Sequence, residues 1–176
     1  MLLEKYSLEI FNPECRPGAM AVHCFAHLDQ DVSDALPYLN AVLGGNSYSK
    51  DPPSVGFKIH GKLITIHSKK IAVNALKDEE EATKIIEWLK REINTAWENR
   101  NNIEPLYEAT PQPQVFEILK LLPKSNCKEC GQSTCMVFAS QVAEGAKGPE
   151  NCPPLDAKNS RKLTEYLSRF HLYFQL

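Results

Sequence analysis

The feature that most restricts this chain is a run of cysteines in its last third. Cys127, Cys130 and Cys135 crowd onto one short loop and Cys152-Pro153 returns later, giving the spacing C-x2-C-x4-C-x16-C-P. The surrounding segment reads as three short helices. Val115, Ile118, Leu119 and Leu122 form one apolar stripe closed by Pro123, and a second helix runs from Cys135 to Glu144 and ends at Gly145. A third places Leu163, Tyr166, Leu167 and Phe170 on one side. Three short helices bury little apolar surface by themselves, and units this small commonly need a metal staple. The cysteines fall where that staple would go.

The N-terminus, Met1-Leu2-Leu3-Glu4-Lys5-Tyr6, meets two charges before an apolar run develops, so no signal peptide is visible. No stretch approaches the roughly 18 apolar residues of a membrane span. The expected location is cytoplasmic, where thiols are kept reduced. Six cysteines there are no disulfide framework, and the clustered ones read as metal ligands. A formal charge of −2 supplies no basic field, which argues against a nucleic-acid partner.

Iron–sulfur clusters take four thiolates, and a ligand run ending in Cys-Pro recurs among them. Three cysteines on a tight loop grip one side of such a cluster, and the fourth closes the other after an intervening helix. Gly131, after Cys130, marks a sharp turn or a close backbone approach. Thr134 is the expected N-cap of the helix that Cys135 begins, which turns a positive dipole end and its free amides toward the thiolate charge. Lys124 and Lys128 are expected at the rim, and Met136, Val137 and Phe138 as a shield against water. Structural zinc also takes four cysteines, but usually as two short pairs. Three crowded cysteines and one distant one favour the cluster, with zinc as the alternative.

The run from Leu121-Leu122-Pro123 through Cys127-Lys-Glu-Cys130-Gly-Gln-Ser-Thr-Cys135-Met-Val-Phe138-Ala139 to Glu150-Asn-Cys152-Pro153 resembles the four-cysteine [4Fe-4S] domain family. That module occurs in the large subunit of the corrinoid iron–sulfur protein and in the B subunit of Rnf-type electron-transport complexes. The resemblance implies one [4Fe-4S] cluster as cofactor, held by Cys127, Cys130, Cys135 and Cys152 and relaying single electrons. It covers residues 113–155, and the N-terminal part of the chain carries no resemblance. The corrinoid-binding barrel and the membrane anchor of those proteins have no room here, so neither parent function transfers whole.

Ahead of the cysteines, Pro105, Pro111 and Pro113 interrupt a polar stretch at 101–113 that cannot continue a helix. Before it, Tyr6, Leu8 and Ile10 alternate as on a half-buried strand, and Met20 to Leu28 reads as a second. Val32, Ala35, Leu36, Leu39, Val42 and Leu43 recur at helical spacing, with Pro37 in the first turn and Gly44-Gly45 at the end. Val55, Phe57 and Ile59 lead through a turn at His60-Gly61 into Leu63 to His67, a hairpin. Ile71 to Leu76 reads either as a strand or as the approach to the next helix. That helix opens on a capping box, Asp78 with Glu81, and carries Ala82, Ile85, Ile86, Leu89, Ile93, Ala96 and Trp97 on one face. The expected fold class is α+β: a small N-terminal sheet with two covering helices, then a small all-helical [4Fe-4S] domain. The expected division is 1–100 as a partner-binding domain, 101–113 as a proline-rich linker and 114–176 as the cluster domain.

Cys15, His23, Cys24 and His27 look like a second metal site, but on a strand Cys24 faces the core while His23 and His27 take the other side. No catalytic triad, paired carboxylates or phosphate-binding loop can be argued, so an enzyme is the least favoured reading. The expected function is an electron-transfer or redox-accessory protein of anaerobic metabolism, serving a protein redox partner that is a corrinoid protein or another metalloenzyme. The alternative is a non-redox adaptor in which a cluster or zinc only staples the fold.

Overall fold

Alternation of apolar and polar residues builds the first two strands, β1 (Tyr6–Phe11) and β2 (Val22–Leu28). They pair antiparallel, with Tyr6 opposite Leu28 and Phe11 opposite His23. The computed structural model describes residues 1–12, 21–59 and 61–170. Cys15, His60 and the tail from His171 lie outside the described residues.

After a 3-10 turn comes α1 (Leu36–Leu43), with Pro37 in its first turn and Gly44 closing it at φ 65. Then follow β3 (Ser47–Lys50), β4 (Pro53–Ile59), β5 (Lys62–His67), β6 (Lys70–Leu76) and α2 (Glu79–Glu98). Among the described residues the strands form one antiparallel sheet in the order β1-β2-β6-β5-β4-β3. The chain is thus mixed α and β, with five α-helices among the described residues. Ile71 to Leu76 resolves as strand, and β3 is a strand that alternation did not announce. Its sequence Ser-Tyr-Ser-Lys has no apolar face, and pairing with β4 is what holds it, Ser47 opposite Gly56.

β2 turns Cys24, Ala26 and Leu28 inward, β5 adds Ile64 and Ile66, and β6 adds Ile71, Val73 and Leu76. The register between β2 and β6 slips at Val22/Cys24, where Ala75 takes φ 56 and supplies the extra residue of a bulge. The bulge returns Leu76 to the buried face. Helix α2 packs on α1, β6 and β2 through Ala82, Ile85, Ile86, Leu89 and Ile93. Its Asp78 cap accepts from the Glu81 amide at 2.9 Å, while the Glu81 carboxylate accepts from Lys77 N–H at 2.7 Å and pairs with the Lys62 ammonium at 3.0 Å. Burial works against the Glu81 charge, yet the Lys77 amide and Lys62 hold its carboxyl below the usual range.

The chain divides into two compact units, Met1–Lys58 with Lys62–Thr110, and Ile59–Gly61 with Pro111–Leu176. Residues 103–110, part of the stretch expected as linker, are bonded into the first unit. Asn40, the one fully buried polar residue among those described, donates through Nδ2 to the carbonyls of Leu106 and Glu108, both at 2.8 Å, and accepts from Gly45 N–H at 3.0 Å. Leu106 N–H reaches Pro37 O and Thr110 N–H reaches Gly45 O. A side chain on Gly45 would collide with Asn40 Oδ1 and Val55, so glycine is what lets the backbone approach this closely.

The second unit contains α3 (Val115–Leu121), α4 (Cys135–Ala143) and α5 (Ala157–Leu167). Its core is Ile118, Leu122, Phe138, Ala139, Val142, Leu163 and Leu167, together with Cys135 and Cys152. The Asp156 carboxylate caps α5 through the amides of Lys158 and Asn159. Among the described residues no helix is long and apolar enough to cross a membrane.

Removing the Asn40 amide leaves two carbonyls and an amide without partners. Asn40→Ala is therefore expected to cost about 2–4 kcal/mol. The readout is the urea midpoint at unchanged slope, and a chain ending at Arg100 should lose at least as much while one ending at Thr110 should not. A wild-type midpoint for Asn40→Ala would show that those groups find other partners.

Candidate metal centre

The four cysteines reach one place by two routes. Cys127 and Cys130 lie on the loop leading into α4, Cys135 is the first residue of that helix, and Cys152 follows the 3-10 turn Pro149–Asn151. All four line one small cavity, together with Asn126, Lys128, Gln132, Thr134, Phe138 and Pro154. Their exposure is graded. Cys152 and Cys135 are 8% and 9% exposed, Cys130 is intermediate and Cys127 lies on the outside. Burial, and then the proximity of Cys130, Cys135 and Cys127, push the Cys152 thiol up.

The loop owes its shape to the left-handed region. Lys124, Asn126, Lys128 and Gly131 have φ 60, 49, 65 and 76. At Gly131 the need is for that backbone and not for space, since a Cβ there would meet nothing within 4 Å. Asparagine tolerates the left-handed region better than most residues, and Asn126 gains from it: its Oδ1 accepts the Cys135 N–H at 2.8 Å. Thr134 caps α4 as expected, accepting from Val137 N–H at 3.2 Å. Two amides of the first turn are thus committed to protein oxygens, so the terminus offers fewer open donors than the sequence implied.

Helix α4 ends as its Gly145 foretold. At φ 73 Gly145 donates to Val142 O, and Ala146 donates to Gln141 O, a Schellman ending. The chain then reverses, and Lys147 Nζ donates to the carbonyl of Cys130 at 2.8 Å while lying 5.9 Å from the Phe138 ring centre. Cys152 N–H donates to Pro149 O, and Cys152 O accepts from Leu155. One lysine and one short turn therefore tie the fourth cysteine's strand of chain to the loop of the first three.

Some expected neighbours are placed differently. Phe138 is buried against the cavity, but Met136 and Val137 are exposed and do not shield it. On a helix only one of three consecutive residues can face a site at its N-terminus. Lys128 lines the cavity and Lys124 does not. In the first unit, Cys24 is buried and His27 is exposed on the other face, bonded to Glu9 at 2.8 Å. The sequence reading missed Asn126 and Lys147. Asn126 was visible only as a turn-prone residue beside the first cysteine, and nothing local marked Lys147.

Among the described residues no three His, Cys, Asp or Glu side chains stand close enough to hold a single metal ion. A donor set of sulfur alone fits iron and sulfide, and four thiolates also fit zinc.

Residues 122–154 match the family model described as "Putative Fe-S cluster". The segment also resembles the acetyl-CoA decarbonylase/synthase complex subunit gamma of Methanopyrus kandleri, 42% identical over 57 residues, 32% of this chain and 12% of that one. Subunit gamma 2 of Methanosarcina thermophila is 47% identical over 52 residues, 28% and 11% of the two chains. The gamma subunit of Methanocaldococcus jannaschii is 43% identical over 57 residues, 30% and 12%. The chain thus spans about a tenth of the length of these relatives, and the similarity supports an iron–sulfur cofactor at the cysteine segment. No solved structure matches the chain.

The Asn126 bond and its backbone angle can be separated. Asn126→Gly keeps the left-handed turn but loses the bond to Cys135 N–H, at about 1 kcal/mol. Asn126→Ala adds about 1–2 kcal/mol of backbone strain. The stability order of the metal-loaded chains should be wild type, Gly, Ala; an alanine variant as stable as wild type would remove Asn126 from the architecture of the loop.

Proposed function

We propose that this protein carries one [4Fe-4S] cluster on Cys127, Cys130, Cys135 and Cys152 and serves as an electron-transfer or redox-accessory protein. The observation that carries the reading is the convergence of these four thiols on one cavity within the segment that matches the iron–sulfur family model. When bound, such a cluster accepts and releases single electrons. The chain supplies the rest. Helix α4 turns its N-terminal dipole toward the thiolates and favours their negative charge. Lys147, fixed on the Cys130 carbonyl, adds a cation beside them. Phe138 keeps water from the inner side, where Cys135 and Cys152 are buried.

The exposed side is the one a partner would approach. Cys127, Lys128, Glu129 and Ser133 are all exposed there, and electron-transfer encounters are commonly small and electrostatically steered. The partner in this reading is a corrinoid protein or another metalloenzyme, met in the reducing, anaerobic cytoplasm. The relatives' name as subunits of a multi-subunit complex supports a protein partner, and the first unit, Met1–Lys58 with Lys62–Thr110, selects it. A structural role has its own support, since Cys135 and Cys152 belong to the small core of the second unit.

Protein purified without oxygen should be brown and hold about four iron and four sulfide per chain. Alanine at Cys127, Cys130, Cys135 or Cys152 should each abolish the stable cluster, while Cys15→Ala and Cys24→Ala keep the full iron content. Stoichiometric zinc without sulfide would contradict the cofactor, and iron lost from either control would contradict the ligand set.

A further inference from the structure

The first unit has an opening of its own, and four aromatic rings meet on it. Tyr38 from α1, Tyr48 from β3, Trp97 from α2 and Tyr107 from residues 103–110 line a cavity of about 400 Å³. Sites for small molecules commonly enclose about 300–1,000 Å³. Tyr107 is 56% exposed, so it is no core residue, yet its place is fixed. The carbonyls on either side of it, those of Leu106 and Glu108, are the two that the buried Asn40 amide holds. Tyr48 meets the Tyr107 ring edge-on, centroids 6.1 Å apart at 85°. The expected helix face ran through Trp97, but the indole is only half-buried and turns to this cavity instead of the core.

Two cations share the lining. The Arg100 guanidinium lies 4.3 Å over the centre of the Trp97 ring and donates to Trp97 O at 2.7 Å. That bond satisfies a carbonyl at the end of α2, where the helix dipole would otherwise repel an anion. Lys50 is exposed, and among the described residues neither it nor Arg100 has a carboxylate within salt-bridge distance. Asp34 is the one acidic residue in the lining. Ring faces next to unpaired cations are complementary to a flat ring that bears negative charge.

We propose that this cavity is a binding site for a small planar aromatic anion, its ring held by Trp97, Tyr48 and Tyr107 and its phosphate or carboxylate by Arg100 and Lys50. The site stands independently of the cluster, and gives the first unit a ligand as well as a place in partner selection.

Calorimetric titration of the full chain with AMP and with FMN tests it, the two probes sharing the chemistry and differing in ring size. At least one should bind saturably at one per chain. For AMP, adenosine should bind at least fivefold more weakly, and higher salt should narrow the gap. Arg100→Gln should weaken the anionic probe at least fivefold and leave adenosine unchanged, whereas Tyr107→Ala should weaken both. Tyr107 is exposed and its backbone bonds do not involve its ring, so that variant should fold, as far-UV circular dichroism can verify. Absence of saturable binding by both probes would overturn the proposal. So would binding that Tyr107→Ala and Arg100→Gln leave untouched, and adenosine binding as tightly as AMP would remove the anion from it.

Discussion

Four thiolates in one small space are stable together only when something positive lies between them. Ionised, they repel; protonated, Cys135 and Cys152 are weakly polar groups in an apolar core whose other buried members are seven. Burial and the three neighbouring cysteines already push Cys152 toward its neutral form. In the proposed reading, metal binding would reverse that preference, because only thiolates are ligands, and its free energy would become folding free energy. The second unit suits that requirement. Its apolar helices are short, its innermost residues include two of the cysteines, and its loop is shaped by four left-handed backbone angles.

The devices that hold the loop are each worth about a kilocalorie per mole, and they are distributed. Asn126 fastens the loop to the first amide of α4, Thr134 caps the same turn, and Lys147 joins the returning chain to Cys130. The Schellman ending at Gly145 sets the direction in which the chain leaves α4 toward Cys152. The result is graded: Cys127 is at the surface and Cys152 is buried, so one side of the site is dry and the other meets solvent. That asymmetry is what an electron relay needs, since the transferred charge must be shielded on one side and reachable on the other.

Local chemistry made much of this legible. The caps at Asp78 and Thr134, the proline in the first turn of α1 and the glycine endings are short-range signals, and each is used as its residue type implies. The cysteine spacing picked out four residues that the fold brings to one cavity, because ligand chemistry tolerates few alternatives. What escaped reading depends on distant partners. Strand β3 exists because β4 offers it an edge, the Ala75 bulge because Leu76 must face inward, and residues 103–110 are ordered by a buried asparagine far back in the chain. Met136 and Val137 were misjudged because composition alone does not say which side of a helix faces its own N-terminal site. Trp97 was misjudged because its helix face was drawn one residue too wide at the end of α2.

The central claim is that the four cysteines hold an addressable cluster and not an inert staple. An anaerobic potentiometric titration, followed by electron paramagnetic resonance, tests it most directly. The account predicts one reversible one-electron step between about −700 and +450 mV, with a paramagnetic signal that grows on reduction and disappears on reoxidation. A chain whose bound metal gives no such step with any mediator across that range would contradict it.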